Sequence, residues 1–108
     1  MYNFIYEKVN TIEEVEKLLN ENEEAKILAG GQTLIPTMKQ RLASPSTLVD
    51  ISGIEELNFI NDNGNSLIIG STITHHEVSS SDIVINKIPS LTSLAEGIGD
   101  PHVRNMGT

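Results

Sequence analysis

Two consecutive glycines, Gly30 and Gly31, separate a short apolar segment from a helical pattern. The segment before them, residues 26–29, favours a buried strand, and apolar residues recur after them at helical spacing up to residue 42. Glycine lets the backbone turn sharply and lets a ligand approach without meeting a Cβ atom. Successive backbone N–H groups in this turn, together with the positive end of the following helix, form a candidate site for a phosphate or pyrophosphate.

The residues of this turn leave two interpretations open. Thr33 can add a side-chain donor while it caps the following helix, which supports the phosphate interpretation. A strand-to-helix turn with a purely structural role explains the same glycines equally well. The spacing differs from that of the Rossmann fingerprint and of the P-loop, so neither of those sites is predicted.

Patterns on both sides of the turn predict alternating strands and helices in the first half of the chain. Aromatic and polar residues alternate over residues 2–6, which suits a half-buried strand. Residues 11–24 have the spacing of an amphipathic helix, and Thr11 with Glu14 forms a capping box at its start. A further strand is predicted over residues 48–51.

The second half of the chain is predicted to contain a hairpin and two helices. Residues 57–60 and 67–70 flank the strong turn signal Asn63-Gly64, which predicts the hairpin. Thr74 and Glu77 form a second capping box, and a last helix is predicted from Pro89 to Gly99. The order of these elements predicts an α+β or mixed α/β fold.

Charge and composition exclude several classes of function. The 108 residues include 15 acidic and 7 basic side chains, so the formal net charge is −8, and no nucleic-acid partner is expected. The absence of cysteine excludes disulfides and thiolate-held iron–sulfur clusters from these residues. No apolar run approaches the ~20 residues that span a bilayer. The N-terminus does not resemble a signal peptide, so a cytoplasmic protein without a membrane span is expected.

The polar residues do not assemble into a catalytic or metal-binding constellation. His75 and His76 are adjacent, so they point in different directions on a helix, and His102 is remote in sequence. The polar segment 100–108 includes Arg104, which can pair with a carboxylate or with a ligand phosphate. A loop whose polar groups satisfy their own backbone is the alternative. No catalytic residue and no metal ligand is therefore predicted.

Three segments together resemble the FAD-binding medium subunit of molybdenum hydroxylases, a family that includes carbon monoxide dehydrogenase medium chains and the flavin domain of xanthine dehydrogenase. The segments are AGGQTLIPTMKQRLASPSTLVDISGI, LIIGSTITHHEV and IPSLTSLAEGIGDPHVRNMGT. The resemblance implies an α+β fold of the PCMH type. It places a small βαβ subdomain at residues 1–53 and the start of a second α+β subdomain, with a mixed or antiparallel sheet, at residues 54–108.

The resemblance also implies which residues bind the flavin. The turn with the double glycine would wrap the pyrophosphate of FAD, and one apolar residue further along would pack near the adenine. A second phosphate motif is represented only by its first residue, which implies the N-terminal fragment of a longer subunit. The implied cofactor-binding residues are Ala29, Gly30, Gly31, Gln32, Thr33, Ile98 and Thr108.

The function implied by the resemblance is that of an FAD-binding electron-transfer subunit in an oxidoreductase complex. Its partners would be a large molybdopterin-binding subunit, which performs the substrate chemistry, and a small subunit with two 2Fe–2S clusters. FAD would pass the electrons to NAD, a quinone or oxygen. Two alternatives remain open: a flavin-free assembly or interaction domain, suggested by the incomplete second motif, and a fragment of a flavin oxidase.

Overall fold

The computed structural model describes residues 2–108, which divide into two compact units between Glu55 and Glu56. The first unit contains β1 (Ile5–Lys8), α1 (Ile12–Glu21), β2 (Lys26–Leu28), α2 (Leu34–Lys39) and β3 (Thr47–Asp50). After a 3-10 turn at Glu55–Leu57, the second unit contains β4 (Ile60–Asp62), β5 (Leu67–Ile69), α3 (His75–Ser80), α4 (Asp82–Lys87), α5 (Pro89–Glu96) and α6 (Pro101–Met106). This mixture of strands and helices confirms the predicted α+β class.

The first unit is built on a three-stranded parallel sheet with the strand order β1–β3–β2. All four residues of β3 are buried, as is typical of a central parallel strand. Leu48 and Val49 are at most 1% exposed and belong to the largest buried side chains of the unit. Because all three strands are parallel, their carboxyl ends lie at one edge of the sheet.

Helix α1 connects β1 with β2 and begins as the sequence predicts. The Thr11 hydroxyl accepts a hydrogen bond from the backbone N–H of Glu14 at 3.2 Å, which is one half of the predicted capping box. Val15 is buried, whereas the acidic side chains of the helix are exposed. The acidic cluster is therefore the solvated face of an amphipathic helix.

The second unit combines a hairpin with four helices. Strands β4 and β5 are antiparallel, which confirms the predicted hairpin, and Gly64 in its turn has a φ of +94°. The predicted capping box of α3 is also confirmed, because Thr74 and Glu77 exchange backbone-to-side-chain hydrogen bonds of 3.2 Å. The core of this unit consists of Ile73, Val78, Val84 and Ala95, with hairpin residues packed against it.

Several element boundaries in the second unit differ from the predictions. The first hairpin strand begins at Ile60 instead of Leu57, because Glu55–Leu57 form a 3-10 turn. Helix α5 ends at Glu96 with Gly97 as its C-cap, whereas the sequence predicts an end at Gly99. Ile98 consequently lies outside the helix.

Two helices of the second unit were missed by the sequence analysis. Ser81 caps α4 by accepting from the Val84 amide, and Asp100 caps α6 by accepting from the His102 amide. The segment 100–108 is therefore largely helical, which differs from the loop that is one of its two interpretations from sequence. Among residues 2–108 no helix has both the length and the apolar composition needed to cross a bilayer.

Candidate functional site

The double glycine lies at the carboxyl edge of the parallel sheet in the first unit. Strand β2 ends at Leu28 and continues directly into residues 29–33, which lead into α2. The backbone N–H of Ile51, just after β3, donates to the Leu28 carbonyl at 3.0 Å and ties the start of this loop to the central strand. In open parallel sheets, ligands bind outside the carboxyl ends of the strands. The loop therefore occupies the position where this architecture binds ligands.

The two glycines of the loop have different roles. Gly31 has a φ of +75°, a conformation that L-residues rarely adopt. A Cβ atom on Gly31 would lie 2.9 Å from Ile35 Cγ1 and 3.0 Å from Leu28 Cδ1, so the packing also requires glycine. Gly30 is not among the residues with positive φ. The left-handed turn therefore explains Gly31, and no such φ accounts for Gly30.

The loop exposes a run of backbone donors. The N–H groups of residues 30–34 donate no hydrogen bond to an acceptor among residues 2–108. Two side chains donate to carbonyl groups of the loop: Gln32 Nε2 to Gly30 at 3.3 Å and Thr37 Oγ1 to Thr33 at 2.8 Å. Backbone N–H groups require an acceptor, which can be water or a bound anion. Five consecutive donors without an acceptor among residues 2–108 make this loop a candidate anion site.

Thr33 does not cap α2 as predicted. It occupies the N-cap position, but its φ of −108° and ψ of −48° are in the helical region, and its side chain makes no capping hydrogen bond. An N-cap side chain reaches the next turn only from an extended backbone. The Thr33 hydroxyl is therefore exposed at the loop, where it remains available as an additional donor.

Asp50 and Tyr6 form a second polar feature near the same edge of the sheet. Asp50 is 8% exposed and accepts hydrogen bonds from the Tyr6 hydroxyl and, at 2.9 Å, from the Ser52 amide. Burial raises the pKa of Asp50, but the hydrogen bonds from Tyr6 and Ser52 and the charge of Lys8 together lower it below its ordinary value. Asp50 is therefore an ionised carboxylate that joins β1 to β3, and a carboxylate does not attract phosphate.

Replacing Tyr6 by phenylalanine is expected to destabilise the protein at pH 7, because the Asp50 carboxylate loses a hydrogen-bond donor. The pKa of Asp50 is lower in the folded state than in the unfolded state, where it is about 3.9. The ionised carboxylate therefore stabilises the fold fully above the unfolded pKa, and this stabilisation is lost as the pH falls through the folded pKa. The loss of stability caused by Tyr6→Phe should therefore be smaller at acid pH. Urea denaturation at pH 7 and at pH 3 measures both effects. Tyr2→Phe, at an exposed tyrosine, is the matched control, and equal losses in the two variants would refute the role of Tyr6.

The second unit contains an apolar cavity of about 350 Å³. The two predicted site residues of this unit, Ile98 and Thr108, both line it, so the structure brings them together although they are ten residues apart. Ile98 is half-buried and Thr108 is exposed. The remaining lining residues are Ile69, Gly70, Ser71, Ile73, His75, Val78, Leu91, Leu94 and Ala95.

Sequence reasoning missed three features of these sites. The Tyr6–Asp50 pair joins residues 44 positions apart, and the only local signal was a carboxylate at the end of an apolar strand. The cavity and the place of His75 in its lining depend on helix packing, which periodicity does not specify.

No group of three or more histidine, aspartate or glutamate side chains that could hold a metal occurs within residues 2–108.

Comparison with known proteins identifies relatives over the whole described chain. A family model described as the FAD binding domain in molybdopterin dehydrogenase matches residues 2–108. The chain is 40% identical over 105 residues to the glyceraldehyde dehydrogenase medium chain of Sulfolobus acidocaldarius. It is 41% identical over 106 residues to the carbon monoxide dehydrogenase medium chain of Hydrogenophaga pseudoflava. Each alignment covers 97% of this chain and 37% of the relative.

Solved structures share the fold. Carbon monoxide dehydrogenase from Hydrogenophaga pseudoflava superposes with a TM-score of 0.93 at 40% identity, covering 99% of this chain and 38% of that one. Quinoline 2-oxidoreductase from Pseudomonas putida 86 superposes with a TM-score of 0.94 at 33% identity and with the same coverage. The chain thus spans a little over a third of the length of these relatives.

Proposed function

Since the chain belongs to the family of FAD-binding domains in molybdopterin dehydrogenases, we propose that it binds FAD and serves as the flavin-carrying part of an oxidoreductase complex. The observation that supports this most strongly is the run of N–H donors at residues 30–34 that have no acceptor in the described part of the chain. A pyrophosphate carries two negative charges close together, and it would supply acceptors for several of these donors at once.

Residues proposed to bind the flavin lie in both units and are described for each unit by itself. In the first unit, Ala29–Thr33 would hold the pyrophosphate, with Gly30 allowing its close approach and the Thr33 hydroxyl as an additional donor. In the second unit, Ile98 and Thr108 line an apolar cavity whose volume of about 350 Å³ falls in the range of small-molecule sites. An adenine ring would bury its apolar faces there, and the adenosine part of FAD is the proposed occupant.

Bound FAD would supply a redox centre that takes electrons from iron–sulfur clusters and gives them to an external acceptor. These 108 residues contain no cysteine, so the thiolates that hold such clusters would lie outside them. We propose a small 2Fe–2S subunit and a large molybdopterin subunit as partners, with the substrate chemistry on the large subunit. The residues of this chain would bind and orient the flavin, and NAD, a quinone or oxygen would receive the electrons.

Purification through a tag on this chain, expressed in its native host, is expected to recover flavin, iron, acid-labile sulfide and molybdenum together. The same purification from an untagged strain is the control. A flavin-containing chain recovered without iron and molybdenum would contradict the proposed partners while leaving flavin binding intact. A metal-containing complex without flavin would instead support the assembly-domain alternative.

A further inference from the structure

The carbonyl group of Ile98 is held by a side chain from the following helix. Ile98 lies beyond the end of α5, and its own N–H makes only a long hydrogen bond of 3.4 Å to the Ala95 carbonyl. The half-buried Arg104 side chain reaches back from α6, and its Nη1 donates to the Ile98 carbonyl oxygen at 2.5 Å. A charge-assisted hydrogen bond of this length is stronger than one between neutral groups. The hydrogen bond from Arg104 is thus the main contact that holds the segment between α5 and α6 in place.

The C-terminal end of α6 is also held in place by hydrogen bonds. The Gly107 amide donates to the Val103 carbonyl at 2.8 Å, and the His75 amide donates to the Gly107 carbonyl at 2.9 Å. A Cβ atom on Gly107 would lie 2.6 Å from the Val103 oxygen, so this contact leaves no room for a side chain. Helix α6 therefore sets the positions of both Ile98 before it and Thr108 after it, and both residues line the same cavity.

We propose that Arg104 is a positioning residue for the adenosine part of FAD. By holding the Ile98 carbonyl, it fixes the rim of the cavity and so determines how tightly the AMP half of the cofactor is bound. This proposal rests on the proposed function and deepens it, because it assigns cofactor selectivity to one side chain. FMN lacks the AMP half, so the ratio of FAD affinity to FMN affinity reports on contacts to that half, and an effect of Arg104 should appear in this ratio.

Titration of the purified, flavin-depleted protein with FAD and with FMN tests the proposal. Arg104→Ala is expected to weaken FAD binding about tenfold and to leave FMN binding unchanged. Arg104→Lys retains the charge and one donor, so it should recover part of the loss. Arg41→Ala removes the same charge from an exposed side chain on the Tyr2 ring in the first unit and should change neither affinity.

The outcomes separate this proposal from the one on which it rests. Equal effects of Arg104→Ala on FAD and FMN, or no effect on either, would overturn the positioning role. If the melting temperature of Arg104→Ala falls, the folded Arg104→Lys variant decides, because a loss of affinity that is equal for FAD and FMN would contradict the positioning role. Failure of the unsubstituted protein to bind either flavin would overturn the proposed function itself.

Discussion

Replacing Gly30 by valine is expected to abolish FAD binding in a protein that remains folded. Gly30 does not have a positive φ, so the left-handed strain that opposes a substitution at Gly31 is absent at Gly30. The valine side chain would, however, stand beside the N–H groups of residues 30–34 and exclude the pyrophosphate from them. We expect the dissociation constant for FAD to rise by at least about 100-fold, which corresponds to about 2.7 kcal/mol.

A substitution at the neighbouring Gly31 serves as the comparison for Gly30→Val. Gly31→Ala introduces a Cβ atom 2.9 Å from Ile35 Cγ1 at a φ of +75°, so it should lower the melting temperature as well as the FAD affinity. Gly30→Val should lower the affinity alone. Calorimetric titration with FAD and thermal unfolding distinguish the two. A folded Gly30→Val protein with unchanged affinity would remove the phosphate loop from the proposed site.

Replacing Gly70 by alanine is expected to destabilise the second unit by about 3 kcal/mol or more. The added Cβ atom would lie 2.0 Å from the Leu57 carbonyl oxygen and 2.7 Å from the Leu57 carbonyl carbon. Both atoms belong to the backbone, so neither can move without displacing the chain before the hairpin. The Gly70 amide also donates to the Phe59 carbonyl at 2.8 Å, and this hydrogen bond would be strained by the same shift.

Gly99→Ala is the matched control, because a Cβ atom at Gly99 meets no atom within 4 Å. Urea denaturation of the two variants should show a large loss for Gly70→Ala and almost none for Gly99→Ala. Equal stabilities would show that the backbone around Leu57 can relax, which contradicts the close approach in the structure. Because Gly70 also lines the cavity, folded Gly70→Ala protein should in addition bind FAD less tightly.

Local signals in the sequence predicted the elements whose geometry is decided locally. The Asn63-Gly64 turn requires a left-handed residue, and the structure places Gly64 there. The Thr74–Glu77 capping box depends on residues three positions apart, and both of its hydrogen bonds are present. Signals for α6 were also available, since Asp100 at the N-cap and Pro101 at the first helical position are typical of a helix start.

Other features depend on contacts between distant residues and could not be predicted from spacing. Threonine is a common N-cap residue, but the backbone of Thr33 is helical and its hydroxyl therefore makes no capping hydrogen bond to α2. Gly97 and Gly99 are both suitable ends for α5, and packing decides between them. The position of the double glycine at a parallel sheet edge depends on the order β1–β3–β2, which pairs β3 with both earlier strands.

The central claim is that this chain binds FAD through the loop of residues 29–33. The most direct test is the visible absorption spectrum of the protein purified after expression of its gene, with the released chromophore identified by mass. We expect a flavin spectrum and the release of one FAD per chain on denaturation. A folded, colourless protein that also fails to bind added FAD would contradict the claim.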